Sequence, residues 1–377
     1  MNNPYNDLPI IDIHAHIMDP HSLAPAEWFQ PVTLENSRFM SEMLEHCGFD
    51  ALSIPAITLY DAEDLPCNPL ALYAKYLNPE RIYAFAGLRR DLDIPKNIDM
   101  KEQLINLLAA GFDGVKMICK PNGRRLWNVP INDVIFDDFY AYLEEYQIPV
   151  LFHVGDPDFF WDINLAPDWC KDAGWYYGDD KNMPDLKGLH AEVENVLERF
   201  PRLRMIFAHF FFMSDNLEHA ADFMERFPEI RFDLTPGSDM YDNFTKYPEK
   251  SREFFIKYQD RLIFGTDNVS DNGTQKEKSL FECVEKVQKM RQFFETTDEL
   301  TYWGLTWRGL GLPKEICRKI YADNFHKVLS HKPPKKVDVK AAYALCEQYL
   351  ALADLDGKDA MNDTKKVLID LMGVFER

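Results

Sequence analysis

The feature that most constrains the fold of this chain is a series of eight short apolar runs, rich in the β-branched and aromatic residues typical of buried strands. The runs cover residues 9–16, 51–57, 81–88, 113–119, 149–155, 203–209, 230–236 and 261–267. Between them lie segments with helical apolar spacing, including KEQLINLLAAG, IFDDFYAYLEEYQ, LHAEVENVLERF and NLEHAADFMERF. Eight strands that alternate with helices predict an α/β fold, specifically a (β/α)8 TIM barrel.

An open, doubly wound parallel sheet is the alternative, but the sequence has no G-x-G-x-x-G motif or phosphate-binding loop to support it. We predict a barrel over residues 1–332 and a helical C-terminal extension over 333–377, with helices near 338–354 and 363–376. Two connections that follow strands are long, 156–190 and 268–312, and the second contains a predicted helix near Gln275–Phe294. Because barrel active sites lie at the carboxyl ends of the strands, both connections are candidate lids.

Charge and cysteine content restrict the partners and the compartment. The chain of 377 residues has a formal net charge of -20, which would repel nucleic acid and anionic membrane surfaces. No apolar run approaches the length of about 18 residues that a membrane span needs, and the N-terminal MNNPYNDLPI does not have the pattern of a secretory signal. The seven cysteines are scattered without a C-x-x-C pair, which favours reduced thiols. We therefore expect a cytoplasmic protein that acts on a small molecule, with no nucleic-acid or membrane partner.

The first apolar run contains two histidines one residue apart. In an extended chain, alternate side chains point the same way, so Asp12, His14 and His16 are predicted on one side and Ile11, Ile13 and Ala15 on the other. Two imidazoles in an apolar interior need partners, because an unpaired buried polar group costs about 1–3 kcal/mol. A metal ion and a hydrogen-bonded core both remain open on this fragment alone.

Polar residues also end several of the other runs. Lys116 lies in the fourth, His153 in the fifth, His209 in the sixth and Asp267 in the eighth. The carboxyl ends of barrel strands converge at one mouth, so these residues are predicted to be neighbours of His14 and His16. Imidazoles together with a carboxylate are ligands suited to zinc and similar divalent ions.

Five segments, IDIHAH, GVKM, VLFHVGDP, IFAHFFF and LIFGTDN, occur in this order and resemble the amidohydrolase superfamily. The likeness is to its amidohydrolase-2-like family of TIM-barrel metal-dependent hydrolases, which includes decarboxylases. It extends over about residues 9–330 and ends at IYADNFHKVL, which is similar to the helix that closes that barrel.

The resemblance implies a role for each matching residue. His14, His16, His153 and Asp267 would hold one divalent ion, with zinc as the expected metal, and Asp267 would also be catalytic. His209 would bind a second metal or, in mononuclear members, polarise substrate or water. A fourth-strand lysine is carboxylated in binuclear relatives, so Lys116 would either bridge a second ion or remain an ammonium that binds a substrate carboxylate.

Several cations follow the third and fourth strands, and we expect Arg89, Lys116 and Arg124 to bind an anionic substrate, although a solvated loop would also explain the arginines. The prediction is therefore a hydrolase of a C–N or C–O bond in a small, carboxylate-bearing metabolite, with a metal-activated water as nucleophile. A non-oxidative decarboxylase on the same metal site is the alternative, and a catalytically inert binding barrel is a third reading. Aromatic residues within 159–177 would cover the pocket or pack against another subunit, and we expect a homo-oligomer.

Overall fold

In a computed structural model, the described residues are 4–18, 31–57, 64–89, 99–121, 129–180, 183–237, 239–329, 331–356 and 361–376. Their main sheet has eight parallel strands, which follow one another around the sheet in chain order. These strands are β1 (Ile11–Asp12), β3 (Ala51–Pro55), β4 (Ile82–Gly87), β5 (Gly114–Cys119), β6 (Val150–Val154), β7 (Met205–Phe207), β8 (Arg231–Asp233) and β9 (Leu262–Ile263). Each lies inside one of the eight predicted runs.

The sheet curls so that its last strand meets its first. The backbone N–H of Ile13 donates to the carbonyl of Phe264 at 3.2 Å. Just beyond, β2 (Ala15–His16) pairs in parallel with β10 (Asn268–Val269). The predicted (β/α)8 barrel is confirmed, and its closure brings the first and eighth strand ends side by side.

Helices surround the sheet, and local sequence sets several of their ends. Thr33 and Asn36 form a capping box at the start of the first helix, and Gly111 ends the third with φ 114°. The helices in the barrel are α1 (Leu34–His46), α2 (Cys67–Leu77), α3 (Met100–Ala110), α4 (Asp137–Glu145), α5 (Asp168–Asp172), α6 (Leu186–Arg199), α7 (Leu217–Arg226), α8 (Met240–Lys246), α9 (Pro248–Lys257), α10 (Lys276–Glu295), α11 (Lys314–Arg318) and α12 (Asn324–Val328).

The core has two layers, separated by the strands. The larger packs strand residues such as Val115 and Met117 against the helices. The smaller contains Ile11, Leu151 and other residues from the opposite strand faces, together with residues of α12. Side chains alternate along a strand, so Lys116, between two residues of the outer layer, belongs to the inner side.

The alternation expected over residues 9–16 is only partly observed. Ile11 and Ile13 share the inner cluster, as predicted, but pairing stops after Asp12 and resumes at Ala15, and Ala15 belongs to the outer cluster. The Asp12 carboxylate accepts hydrogen bonds from the backbone N and the hydroxyl of Thr266, at 3.0 and 2.5 Å. This break in the strand redirects the side chains that follow it.

The long connections and the C-terminal part carry the remaining elements. Residues 268–312 contain β10, α10 and an antiparallel hairpin of β11 (Glu299–Tyr302) and β12 (Leu305–Arg308), which the sequence analysis did not predict. Helices α13 (Val339–Asp356) and α14 (Met361–Phe375) pack on each other and on α2, and α13 also packs on α3. Among the described residues, no helix has both the length and the apolar character needed to cross a membrane.

Candidate metal centre

Three of the predicted ligands meet at the closure of the barrel. One ligand atom each from His14, His16 and Asp267 can be chosen so that all lie within 4.8 Å of one another. The Asp267 Oδ1 atom is 3.3 Å from His16 Nε2 and 3.8 Å from His14 Nε2. The two imidazoles therefore present the same nitrogen toward one carboxylate.

Hydrogen bonds at the other ring nitrogen fix the orientation of both imidazoles. His14 Nδ1 is 2.7 Å from Asp233 Oδ2, and His16 Nδ1 is 2.8 Å from the carbonyl oxygen of Pro55. A carbonyl can only accept, so the Nδ1 of a neutral His16 carries the proton and its Nε2 has a free lone pair. Acceptors behind Nδ1 are typical of histidines that bind metal through Nε2.

Lys116 lies beside this group on the inner side of β5. Its Nζ is 2.9 Å from His14 Nε2, so the ammonium donates to the ring nitrogen. Burial lowers the pKa of Lys116 to about 8. Burial, followed by the nearby charge of Lys116, also holds the pKa of His14 well below its usual value. His14 is therefore a neutral imidazole at physiological pH, the form that binds metal.

Asp267 has an unusual backbone and a strongly acidic carboxyl group. Its φ is 58°, in the left-handed region, and its N–H donates to the His14 carbonyl at 2.7 Å. Removal from water alone would raise the pKa of Asp267, but the hydrogen bond with His16 and the charges of His14 and His209 outweigh it and hold the pKa well below its usual value. Its side chain is 37% exposed, whereas that of His14 is fully buried, so solvent reaches the centre from the Asp267 side.

Asp233, at the end of β8, connects two parts of the centre. Besides bonding His14 through Oδ2, it accepts hydrogen bonds through Oδ1 from the backbone N of His209 at 2.8 Å and of Thr235 at 3.2 Å. The sequence analysis assigned this residue no role. The available signal was its position at the end of the seventh strand, in IRFDLTP.

His209 lies on a left-handed turn that follows β7. Four consecutive residues have positive φ, from 51° to 56°: His209, Phe210, Phe211 and Phe212. A left-handed conformation costs an L-residue about 1–2 kcal/mol, and such strain is concentrated at functional sites. The turn brings the His209 ring to 5.5 Å from that of His14 and 4.8 Å from that of His153, measured between centroids.

His153 lies at the same mouth but not within the three-residue group. Its Nε2 is 3.0 Å from the carbonyl of Gly155 and 3.9 Å from Asp156 Oδ1. Burial lowers the pKa of His153 to about 3, which keeps the ring neutral. Its assignment as a metal ligand stays a prediction.

Asp156 anchors the long connection after β6, and sequence reasoning missed it. Its carboxylate accepts from Lys120 at 2.9 Å and from the hydroxyl of Tyr177 at 2.7 Å. The Lys120 ammonium also lies 4.0 Å from the centroid of the Trp175 ring. The aromatic segment is therefore fixed to the strand ends by a buried ion pair. The aspartate of this pair lies within the segment VLFHVGDP, which was the signal available in the sequence.

The predicted cation cluster is only partly described. The Arg89 guanidinium lies 5.9 Å from the ring centroid of Tyr349 in α13, so this side chain extends toward the C-terminal helices. Arg124 falls outside the described residues. His190, which had no assigned role, stacks on Phe211 at 4.0 Å and supports the turn that carries His209.

A comparison with known protein families gives a match over most of this chain. The model of the amidohydrolase family (Amidohydro_2) matches residues 11–330. No curated protein matches the chain.

Solved structures share the architecture at low sequence identity. An amidohydrolase II has a TM-score of 0.52 at 15% identity, covering 85% of this chain and 100% of its own. A 2,6-dihydroxybenzoate decarboxylase has a TM-score of 0.52 at 14% identity, with 85% and 98% covered. The 5-carboxyvanillate decarboxylase of Sphingomonas paucimobilis has a TM-score of 0.50 at 13% identity, with 86% and 99% covered. At these identities the likeness is evidence for the fold alone.

Proposed function

This chain belongs to the amidohydrolase family, and on that premise we propose that it is a metal-dependent hydrolase of a C–N or C–O bond in a small, carboxylate-bearing metabolite. The observation that carries the proposal is the convergence of His14, His16 and Asp267 at the carboxyl ends of the strands. Two imidazoles and a carboxylate are a donor set suited to zinc. The proposed activity requires these groups to act together.

The residues fit an ion because their orientation is set in advance. Asp233 and Pro55 hold the two imidazoles by Nδ1, which turns each Nε2 toward Asp267. To bind an ion, His14 Nε2 would give up its hydrogen bond from Lys116. We propose His153 as a further ligand, which would join by giving up its contact with the carbonyl of Gly155. When bound, a divalent zinc ion would lower the pKa of a coordinated water to about 7 and act as a Lewis acid.

The side chains around the ion have distinct proposed roles. Asp267 is ionised at neutral pH because its pKa is low, so it can accept the proton of an attacking water and return it to the leaving group. His209, held by the left-handed turn, would polarise the scissile group. Lys116 supplies a buried positive charge for a substrate carboxylate. The expected roles of Arg89 and Arg124 in substrate binding stay predictions, since the Arg89 guanidinium lies near the Tyr349 ring and Arg124 is outside the described residues.

A decarboxylase is the second candidate, and the buried ammonium of Lys116 is the observation that supports it. A cation beside the imidazoles could hold a carboxylate substrate without any attacking water. Two of the similar solved structures are named as decarboxylases of aromatic acids. In that reaction Asp267 would first take up a proton from water and then donate it to the carbon from which CO2 leaves.

Metal analysis tests the premise shared by both reactions. We expect about one zinc ion per chain in the purified protein, and loss of that ion in the double variant His14→Ala/His16→Ala. The matched control is His46→Ala, because His46 is an exposed histidine near the end of α1. Near-stoichiometric metal in the double variant would refute the assignment.

Product analysis separates the two reactions. A panel of small carboxylates, with their amides and lactones, would be incubated with the zinc-loaded protein, and both CO2 release and hydrolysis products would be measured. Hydrolysis without CO2 supports the proposal, and CO2 release without hydrolysis supports the decarboxylase. The cytoplasmic location and the homo-oligomer stay predictions, and light scattering of the purified protein would check the latter.

A further inference from the structure

The two carboxylate oxygens of Asp233 face different kinds of groups. Oδ2 lies 2.7 Å from His14 Nδ1. Oδ1 accepts from the backbone N–H groups of His209 and Thr235, at 2.8 and 3.2 Å. The side chains of Asp233 and His14 are fully buried, so water cannot replace either of them as a partner. Each oxygen therefore constrains a different part of the metal centre.

The contacts of the His14 ring determine which of its nitrogens carries the proton. Lys116 Nζ lies 2.9 Å from His14 Nε2, and an ammonium can only donate, so Nε2 offers its lone pair. The proton of the neutral ring is then on Nδ1 and is donated to Asp233 Oδ2. This is the tautomer whose Nε2 can bind a metal ion.

Close packing keeps His14 in place between these two partners. A Cβ atom on Gly265 would lie 3.0 Å from His14 Cβ and 2.3 Å from Thr235 Oγ1. The chain that follows β9 therefore approaches His14 and Thr235 so closely that a side chain at Gly265 would force one of them to move. The hydrogen bond to Asp233 is accordingly a fixed feature of the centre.

The other oxygen of Asp233 supports the left-handed turn at His209. It binds the N–H of His209, which is the first of the four residues with positive φ. Thr235, whose N–H shares that oxygen, places its carbonyl 3.3 Å from His209 Nδ1. One carboxylate thus links the ring of a proposed metal ligand to the turn that carries His209.

We propose that Asp233 is a positioning residue that selects the metal-binding tautomer of His14 through Oδ2 and holds the His209 turn beside it through Oδ1. This deepens the proposed function, on which its value for catalysis rests. Zinc binding then depends on the acceptor at Oδ2, whereas the turn depends on the acceptor at Oδ1.

The variant Asp233→Asn separates these two tasks. Its amide oxygen can take the place of Oδ1, because the reverse orientation would set the amide N–H₂ group against two backbone N–H donors. The N–H₂ group then faces His14 Nδ1 and favours a proton on Nε2. We expect zinc affinity, measured by competition with a chelator, to fall on the order of 10- to 100-fold. Unchanged zinc affinity would overturn the proposal.

Two further variants accompany this measurement. Asp233→Ala removes both acceptors, so it should lose zinc affinity as well and have the lower unfolding midpoint of the two Asp233 variants. Asp185→Asn is the matched control, because Asp185 accepts from the backbone N of Gly188 at 2.8 Å at the start of α6 and asparagine caps a helix about equally well. Its zinc affinity should equal that of the unmodified protein.

NMR of the metal-free protein, labelled with ¹³C in the histidine rings, tests the tautomer directly. The background is Lys116→Met, in which no ammonium imposes the tautomer, and the signal that His14→Ala removes identifies the ring. We expect the proton on Nδ1 in Lys116→Met and on Nε2 in Lys116→Met/Asp233→Asn. A proton on Nε2 in Lys116→Met, or on Nδ1 in both variants, would overturn the proposal.

The two measurements distinguish failure of this proposal from failure of the proposed function. If the unmodified protein binds no zinc, the proposed function fails, and the tautomer change in the metal-free protein still supports the role of Asp233. If the protein binds zinc but Asp233→Asn binds it equally well, the metal centre stands and the role of Asp233 is rejected.

Discussion

At the scale of single residues, Asp233 holds both the His14 ring and the backbone of His209, through different oxygens. These partners are 219 and 24 residues away in the sequence. The strand-end position of the aspartate was visible in the sequence, but its two contacts depend on how the strands meet. The orientation of the His153 ring could not be predicted for the same reason. Its strand was predicted correctly, but the ring contacts a carbonyl two residues further along the chain.

Replacing Asp267 by Asn separates metal binding from proton transfer. The amide keeps the shape and one oxygen ligand but cannot accept a proton, so we expect much of the metal to remain. Activity should fall by a factor on the order of 10²–10⁴, the contribution typical of general acid–base groups. Turnover normalised to bound metal, measured once a substrate is identified, is the readout. Near-normal turnover per metal-loaded chain would show that Asp267 is only structural.

Replacing Lys116 by Met tests whether its ammonium competes with the ion. Because Nζ lies 2.9 Å from His14 Nε2, we expect the variant to bind zinc on the order of tenfold more tightly. Competition with a chelator of known affinity measures this, with Lys289→Met as the control. If Lys116 is instead carboxylated and bridges two ions, the unmodified protein should hold about two per chain and the variant fewer.

At the scale of elements, regular strands and helices were predictable because each follows from local apolar spacing. The helix expected near Gln275–Phe294 is present as α10. The β11–β12 hairpin was missed, since its burial alternates over only a few residues and its turn, Trp303–Gly304, has no strong hairpin signal. The left-handed turn at His209 was also not predictable, because residues of this kind ordinarily avoid positive φ.

The left-handed turn makes a prediction about stability at Phe212. Both Phe212→Gly and Phe212→Ala lose the ring that contacts those of His153 and His209. Only alanine keeps a Cβ at φ 51°, so we expect the glycine variant to be more stable by about 1 kcal/mol. The control is Ile369, exposed in α14, where glycine should be less stable than alanine by about the same amount. Chemical denaturation measures all four variants, and the same order at both positions would contradict the strain.

At the scale of the whole molecule, Asp113 connects the barrel to the chain that follows it. Its carboxylate, just before β5, accepts from Lys75 at 2.5 Å and from the backbone N of Ala84 at 2.8 Å. It also contacts the His331 ring and the backbone N of Lys335, each at 2.9 Å. The boundary predicted at residue 332 falls within this contact and stays a prediction. The family resemblance, which rested on the order of five short segments, is confirmed by the family model that matches residues 11–330. The order of the segments can be recognised in the sequence, whereas the orientation of their side chains cannot.

The last prediction concerns the acid stability that Asp113 provides. Burial alone would raise its pKa, but the hydrogen bond with His331 and the charge of Lys75 hold the pKa below the ordinary 3.8. A depressed carboxyl pKa contributes stability that is complete above the unfolded-state value and is lost as the pH falls through the folded-state value. Asp113→Ala leaves the buried Lys75 without its counter-charge, so we expect a loss of about 3–5 kcal/mol near pH 7.

The difference between Asp113→Ala and the unmodified protein should shrink as the pH falls below about 3.8, because the carboxyl group of the unfolded chain then takes up a proton while that of the folded protein, with its lower pKa, is still ionised. Denaturant unfolding at several pH values measures both effects. Glu225→Gln removes an exposed partner of Lys257 and is the control, with an unfolding midpoint close to that of the unmodified protein. A deficit in Asp113→Ala that is constant from pH 7 to pH 3 would show that its hydrogen bonds, rather than its charge, connect the barrel to the C-terminal helices.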